Sequence, residues 1–304
     1  MFKSLKTFRK AALAALTIAI GFSAAQAAEP VKLVVGYQPY DTISYSAAVI
    51  RALELWKKYL PAGSEVEFQN ALQGSIIVNN MLAGKQQIGY LGDMPAVVAT
   101  TKRSVAPINL VANTGMSAGQ RCNVIMVRAD APKFKSPEEA VQWLDGKVVA
   151  TPQGSCAHRF LGLVIEKTKI KPSAVLNQSI EVIATNLRAG KIDGAVLWEP
   201  SVSRIGDIVG EGAGRIVATG HTFGISDAGA IAMREDFMKS RPDIVEAWLK
   251  TELEAQRFVL DPGNAVKVAE IVKAQTTGIT VPMAWFSKTT GKRAGCFMLR
   301  QLYA

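Results

Sequence analysis

Three observations predict an α/β fold of two lobes. Short apolar runs alternate with amphipathic helical stretches from Val31 onward, the pattern of strand–helix–strand units around a largely parallel sheet. A small, polar, glycine-containing stretch, TGMSAGQR at residues 114–121, interrupts the series, and a second series begins after it. The plan of AGKQQIGYLGDMP (residues 83–95) returns in AGKIDGAVLWEP (residues 189–200): a helix end, a glycine cap, a lysine, a buried strand, an acid, then a proline able to open the next helix.

In order, VKLVVGY reads as a strand, SAAVIRALELWKKYL as one helix and VEFQNA as a strand. Next comes a helix capped by Ser75, with Gln73 and Gly74 just ahead of it and its end near Gly84, leading into the strand IGYLG. A strand at residues 108–113 runs into the glycine-containing linker. The second series starts with the strand NVIMVRAD and the helix SPEEAVQWLDG, with Ser136 as cap and Pro137 in its first turn. The strand KVVATP, a helix from Ser155, the strand VLNQSI and the helix IEVIATNLRAGK follow, then the strands IDGAVLWEP and RIVATG. Beyond FGISDAGAIAMRED the chain is mainly helical, with RPDIVEAWLKTELEAQRFVL as its longest amphipathic stretch. A return to the first lobe fits here, so crossings at residues 114–121 and 221–229 would form a two-stranded hinge. The expected boundaries are 28–115 with 225–304 for the first lobe and 116–224 for the second.

The N-terminus MFKSLKTFRK precedes a short apolar run and SAAQA, the layout of a secretory signal peptide cut between Ala27 and Ala28. The apolar run falls short of the roughly 18 residues of a membrane span, so the mature chain is expected in the periplasm. Losing the four basic residues of the leader lowers the formal charge from +10 to +6. That mild basic bias comes without basic runs interleaved with aromatics, so nucleic acid is not an expected partner. Cysteines 122, 156 and 296 permit at most one internal bridge; Cys122 with Cys156 is one option, left open by spacing alone. With no Cys-x-x-Cys spacing and only His158 and His221 as imidazoles, neither a metal nor a cofactor is expected.

TPQGSCAHRF, residues 151–160, is the stretch richest in chemistry. Ser155 can cap the helix, Gly154 lets a ligand approach the backbone, and the amides of Cys156, Ala157 and His158 then point outward at the positive end of the helix dipole. This is an anion site by construction, with an ordinary capped helix as the plain alternative. Cys156 and His158 as a catalytic pair fare worse, because residues two apart on a helix do not face each other. QGSIIVNN in the first lobe repeats the start, so helix ends at Ser75 and Ser155 could close on one anionic group.

Ligands of open α/β sheets sit off the carboxyl ends of the strands, which would bring Asp93 and Glu199 to one crevice between the lobes. Either acid could cap the helix that follows or bind a ligand amine, with capping favoured for Glu199. Gln38 and Tyr40, ending the first strand, would reach the crevice mouth, and Trp198 is either core or a ligand wall. GMSAG at residues 115–119 fits the nucleophile-elbow pattern with Ser117 as nucleophile, yet a strand follows where that motif needs a helix.

Taken together, QGSIIVNNMLAGKQQIGYLGDMP, LDGKVVATPQGSCAHRFLGLVIEKTKI, LRAGKIDGAVLWEP and SRPDIVEAWLKTELEA resemble the substrate-binding proteins of ATP-driven importers of the nitrate/taurine/alkanesulfonate type. The resemblance covers nearly the whole mature chain. It implies a type II periplasmic-binding-protein fold, two crossover strands, a ligand cleft between the lobes, and a monomer that delivers its ligand to a permease and ATPase without chemistry. Carried over residue by residue, it points to Gln38, Tyr40, Gln73, Gly74, Ser75, Asp93, Met94, Gln153, Gly154, Ser155, Cys156, His158, Trp198 and Glu199. Asp93 in GDMP stands where many relatives have a small residue, which favours a zwitterion such as taurine, or a larger organic molecule, over nitrate. An aromatic carboxylate or a pyrimidine-like heterocycle stacked on Tyr40 or Trp198 is the alternative ligand. The tail TTGKRAGCFMLRQLYA departs from the family's closing helices, so Cys296 receives no role.

Overall fold

The computed structural model describes residues 29–117, 122–209 and 213–288. The leader and its cut, residues 118–121 of the first crossing and the tail with Cys296 lie outside the described residues. The first half of the chain supplies β1 (Lys32–Tyr37), α1 (Tyr45–Leu53), β2 (Glu65–Asn70), α2 (Gly74–Leu82), β3 (Ile88–Gly92), α3 (Asp93–Thr101) and β4 (Ile108–Ser117). Next come β5 (Val124–Arg128), α4 (Pro137–Gln142), β6 (Val148–Thr151), α5 (Cys156–Thr168), β7 (Ala174–Asn177), α6 (Ile180–Arg188), β8 (Gly194–Leu197), α7 (Ser201–Val209) and β9 (Gly214–Thr219). The chain ends in α8 (Gly220–Phe223), β10 (Asp227–Arg234), α9 (Glu235–Ser240), α10 (Pro242–Leu260), α11 (Ala265–Ala274) and α12 (Val281–Lys288).

The strands form two five-stranded sheets of the same design, ordered β2-β1-β3-β10-β4 and β7-β6-β8-β5-β9. In each, three parallel strands come from one stretch of chain. The fourth position belongs to a strand that has just crossed between lobes, β10 in one sheet and β5 in the other, and it runs antiparallel to both neighbours. The repeated plan seen in the sequence has a direct counterpart: β3 and β8 hold equivalent places, and each feeds a helix beginning with or just after its acid. Each sheet is therefore mixed, because the crossing strand arrives from the opposite end.

Separate apolar cores sit under the two sheets. One gathers Val124, Leu144, Phe160, Val164, Ile183 and Val196, with Phe223 against Phe160 at 6.4 Å. The other gathers Val35, Ile50, Ile88, Tyr90, Ile231 and Trp248, with Phe68 6.2 Å from the indole. Each fully buried aliphatic or aromatic side chain contributes about 1.5–3 kcal/mol, so each lobe has a core of its own.

Several expectations change. SAAVIRALELWKKYL is not one helix: Glu54 takes a left-handed conformation (φ 50°) that ends α1, and a 3-10 turn over Leu55–Lys58 follows. The break lets Leu53, Leu55, Trp56 and Tyr59 all rest against the core, which a straight helix would not allow. Ser75 is not a cap; α2 begins at Gly74 with Gln73 in the cap position and no side-chain cap bond. A side chain at position 74 would come within 2.6 Å of the Pro95 ring, so this turn is shaped by close packing on α3. TGMS is strand, because β4 continues to Ser117 in register with Asp227. That extension removes the strand–turn–helix geometry a Ser117 nucleophile needs. Cys156 is a free thiol, so the bridge to Cys122 is not made.

Candidate functional site

The carboxyl ends of β1, β3, β6 and β8 face one crevice between the lobes, as expected for this topology. From the first lobe it is lined by Gln38, Asp41, Gly74, Gly92 and Pro95; from the second, by Ser155, Cys156 and Trp198. Its empty space is about 240 Å³ counting the open mouth, and as closed here it has room for roughly one water. The starts of α2, α3 and α5 all border it. In the first turn of a helix the amides have no intrahelical acceptor, so three positive dipole ends converge here.

The lobes are closed on each other. Asp41 and Pro200 form an isolated antiparallel bridge, and the Ser201 hydroxyl donates to the Tyr40 carbonyl at 3.5 Å. Arg204 lies 5.0 Å above the Tyr40 ring and is held by Glu181 at 3.0 Å. Deeper in, Arg159 Nη2 meets Asp93 Oδ2 at 2.5 Å and donates to the Ser226 carbonyl at 2.7 Å. Asn123 Nδ2 donates to Asp227 Oδ2 at 3.0 Å. A side chain at Gly92 would overlap the Cys156 sulfur, so glycine there allows the approach of α5.

The electrostatics of the crevice are acidic on one wall. Asp41 in the loop after β1, Asp93 at the start of α3 and Asp227 at the start of β10 all come from the first lobe, and Arg159 is the cation paired with Asp93 among them. Burial pushes the Asp41 carboxyl up to about 7, the Ile43 amide opposes that shift, and Asp93 adds to it. Burial also holds Asp227 well above the ordinary carboxylate range, reinforced by Asp93 and Asp41 and partly offset by Arg159. The Cys156 thiol is raised by burial and by Asp227, Asp93 and Asp41, and it hydrogen-bonds Asp93. It is therefore a protonated thiol at neutral pH, not a nucleophile. His158 is occupied elsewhere: its Nδ1 accepts from the Gly154 amide at 3.3 Å, so no Cys–His couple exists. One ligand atom each from Asp93, Cys156 and Asp227 lies within 4.8 Å of the others. Arg159 already balances Asp93, so a cation placed there would compete with the guanidinium.

Of the residues singled out from sequence, Gln38, Gly74, Ser155, Cys156 and Trp198 border the crevice and Asp93 lies beside it. Ser155 is the cap of α5, accepting from the His158 amide at 3.1 Å, and the Gly154 turn (φ 74°) brings it there. Glu199 is fully buried and accepts from the Ser203 amide at 3.0 Å, so it caps α7 as its plainer reading had it. Tyr40 is anchored by its hydroxyl, which accepts from the Thr277 amide at 2.8 Å. Gln73, Ser75, Met94, Gln153, Gly154 and His158 do not line the crevice; the amide of exposed Gln153 donates to Asn177.

Sequence reasoning missed Asp41, Arg159, Asp227 and Asn123. Asp41 sits three residues beyond Gln38 in the same loop, and Arg159 is the ninth residue of TPQGSCAHRF. A search for opposite charges near the predicted strand ends could have found both. Asp227 and Asn123 begin or precede strands at the two crossings, and only the crossing geometry brings them together.

The model of the NMT1-like family matches residues 26–273. The taurine-binding periplasmic protein of Escherichia coli strain K12 is 28% identical over 272 residues, covering 87% of this chain and 78% of that one. Among solved structures, the alkanesulfonate-binding protein of Xanthomonas axonopodis pv. citri bound to MOPS superposes with a TM-score of 0.68 at 20% identity, covering 85% and 83% of the two chains. The nitrate-binding protein of Synechocystis PCC 6803 superposes with a TM-score of 0.66 at 14% identity, covering 90% and 74%. These structures share the two-lobed periplasmic-binding-protein fold. With a family model spanning most of its length and that fold around a closed crevice, the chain belongs to the NMT1-like family.

Proposed function

We propose that this chain is the periplasmic solute-binding component of an ATP-driven importer, capturing a small organic anion or zwitterion of the sulfonate or taurine kind by lobe closure. The observation that carries the reading is the convergence of three helix starts and the Trp198 indole on one narrow crevice between two lobes already in contact. The taurine-binding and alkanesulfonate-binding relatives support the solute class. The lobes are 28–115 with 225–304, and 116–224; the leader is cut between Ala27 and Ala28; the mature monomer hands its ligand to a membrane permease and ATPase. No reaction is part of this function. The buried Cys156 thiol, and His158 with its Nδ1 accepting from the Gly154 amide, are packing and capping groups.

The stacking alternative has less room. An aromatic carboxylate or pyrimidine needs a free ring face, and Arg204 already covers that of Tyr40, leaving Trp198 alone. Calorimetry of the mature protein against taurine, alkanesulfonates, short carboxylates and nitrate tests the proposal. Binding of at least one with weakening in Trp198→Ala and in Ser155→Pro is the expected result. The reading fails if the panel is silent, or if both variants bind as the parent does.

A further inference from the structure

We infer that the crevice is built for a ligand carrying an ammonium group as well as an acidic one, and that Asp41 is the residue that selects it. The inference rests on the binding reading above and narrows its substrate class. Asp41 borders the crevice and is 8% exposed. Its carboxylate accepts from the Ile43 amide of its own loop at 3.3 Å, and among the described residues no cationic side chain pairs with it. The nearby guanidiniums are committed, Arg159 to Asp93 and Arg204 to Glu181. A buried carboxylate without a counter-charge is costly unless something supplies one, and an ammonium of the bound solute is the group that fits.

An independent feature of the opposite wall points to the other end of the same ligand. Trp198 is 5% exposed and lines the crevice, and its Nε1–H has no acceptor among the described residues. Thr151 Oγ1, at the end of β6, is likewise buried without a partner. Beside them stand the first-turn amides of α5. This wall offers donors and wants acceptor oxygens; the facing wall offers carboxylates and wants a cation. An anion without an amine would lie against Asp41, Asp93 and Asp227 with Arg159 as its counter-charge. An amine without an acid would leave the Trp198 donor unmatched. A short amino-sulfonate or amino-carboxylate satisfies both walls.

Matched pairs differing by one amino group provide the test: taurine against ethanesulfonate, and β-alanine against propionate, titrated calorimetrically into the parent and into Asp41→Asn. In at least one pair the aminated member is expected to bind about tenfold tighter or more, the effect of one desolvated charge pair. Asp41→Asn is expected to bring that ratio down to about threefold or less, with the deaminated member binding at least as tightly as it does to the parent. Equal or tighter binding of the deaminated members, binding of nitrate with none of the four, or a preference retained in Asp41→Asn overturns the role of Asp41 and leaves the importer reading standing. Silence of the four together with the whole anion panel overturns both. The comparison within the parent protein stands whether or not the variant folds.

Discussion

Two helix starts spelled QGS face each other across the crevice, and they are built differently. In the first lobe Gly74 and Ser75 are already helical and no side chain caps the end; Gly74 is there to pack on the Pro95 ring. In the second lobe the helix begins two letters later in the motif, Gly154 makes a left-handed turn, and Ser155 caps. The same three residues thus serve close packing on one wall and turn chemistry on the other. The walls also differ in charge, with the carboxylates of Asp41, Asp93 and Asp227 on the first lobe and Arg159 and the Trp198 donor on the second. Local motif identity does not imply equal roles; what each residue packs against decides.

The largest expected effect concerns the charge difference. Asp41 titrates near 7 in the folded chain against 3.8 as its ordinary value, so the folded state holds the extra proton between those limits. Stability therefore rises as pH falls from about 8 to about 5, by up to about 2.6 kcal/mol for this group without ligand. Thermal unfolding at the two pH values measures it, and Asp41→Asn should flatten the difference. A melting point that falls on mild acidification would overturn the isolation of the Asp41 carboxyl.

Gly74→Ala comes next. Its methyl group meets a ring that cannot swing away, an overpacking cost of about 1–3 kcal/mol in urea unfolding. Gly154→Ala meets nothing within 4 Å and suffers only from its positive φ, about 1–2 kcal/mol. Ser155→Ala loses a real cap, about 1 kcal/mol, whereas Ser75→Ala should stay within about 0.5 kcal/mol. If the two serine variants cost the same, the asymmetry between the helix starts is wrong.

Most of the fold was legible in advance. Apolar runs such as VKLVVGY and IGYLG have period and length enough to be read as strands, and the repeated AGK plan announced two similar sheets. The break at Glu54 was not legible, because nothing in ELWKK discourages a helix; the helix yields to the burial of Leu55 and Trp56 on a core made by distant residues. TGMS looked like a linker by composition and is strand because β10 lies beside it. In the candidate site, the helix start at Ser155 and the wall residue Trp198 followed from local pattern. The Asp93–Arg159 pair and the isolation of Asp41 did not, since each depends on which side chains from the other lobe come within a few ångströms.

By itself, then, the amino-acid order determined what short-range physics controls: strand and helix periodicity, the cap at Ser155, the doubled unit and the family it belongs to. Tertiary structure alone decided which charges face one another. Carboxylates from β1's loop, β3's end and β10's start lie far apart along the chain, and their ionisation depends on burial and on each other across a closed cleft. Those are properties of distances between segments, which no local pattern of residues encodes.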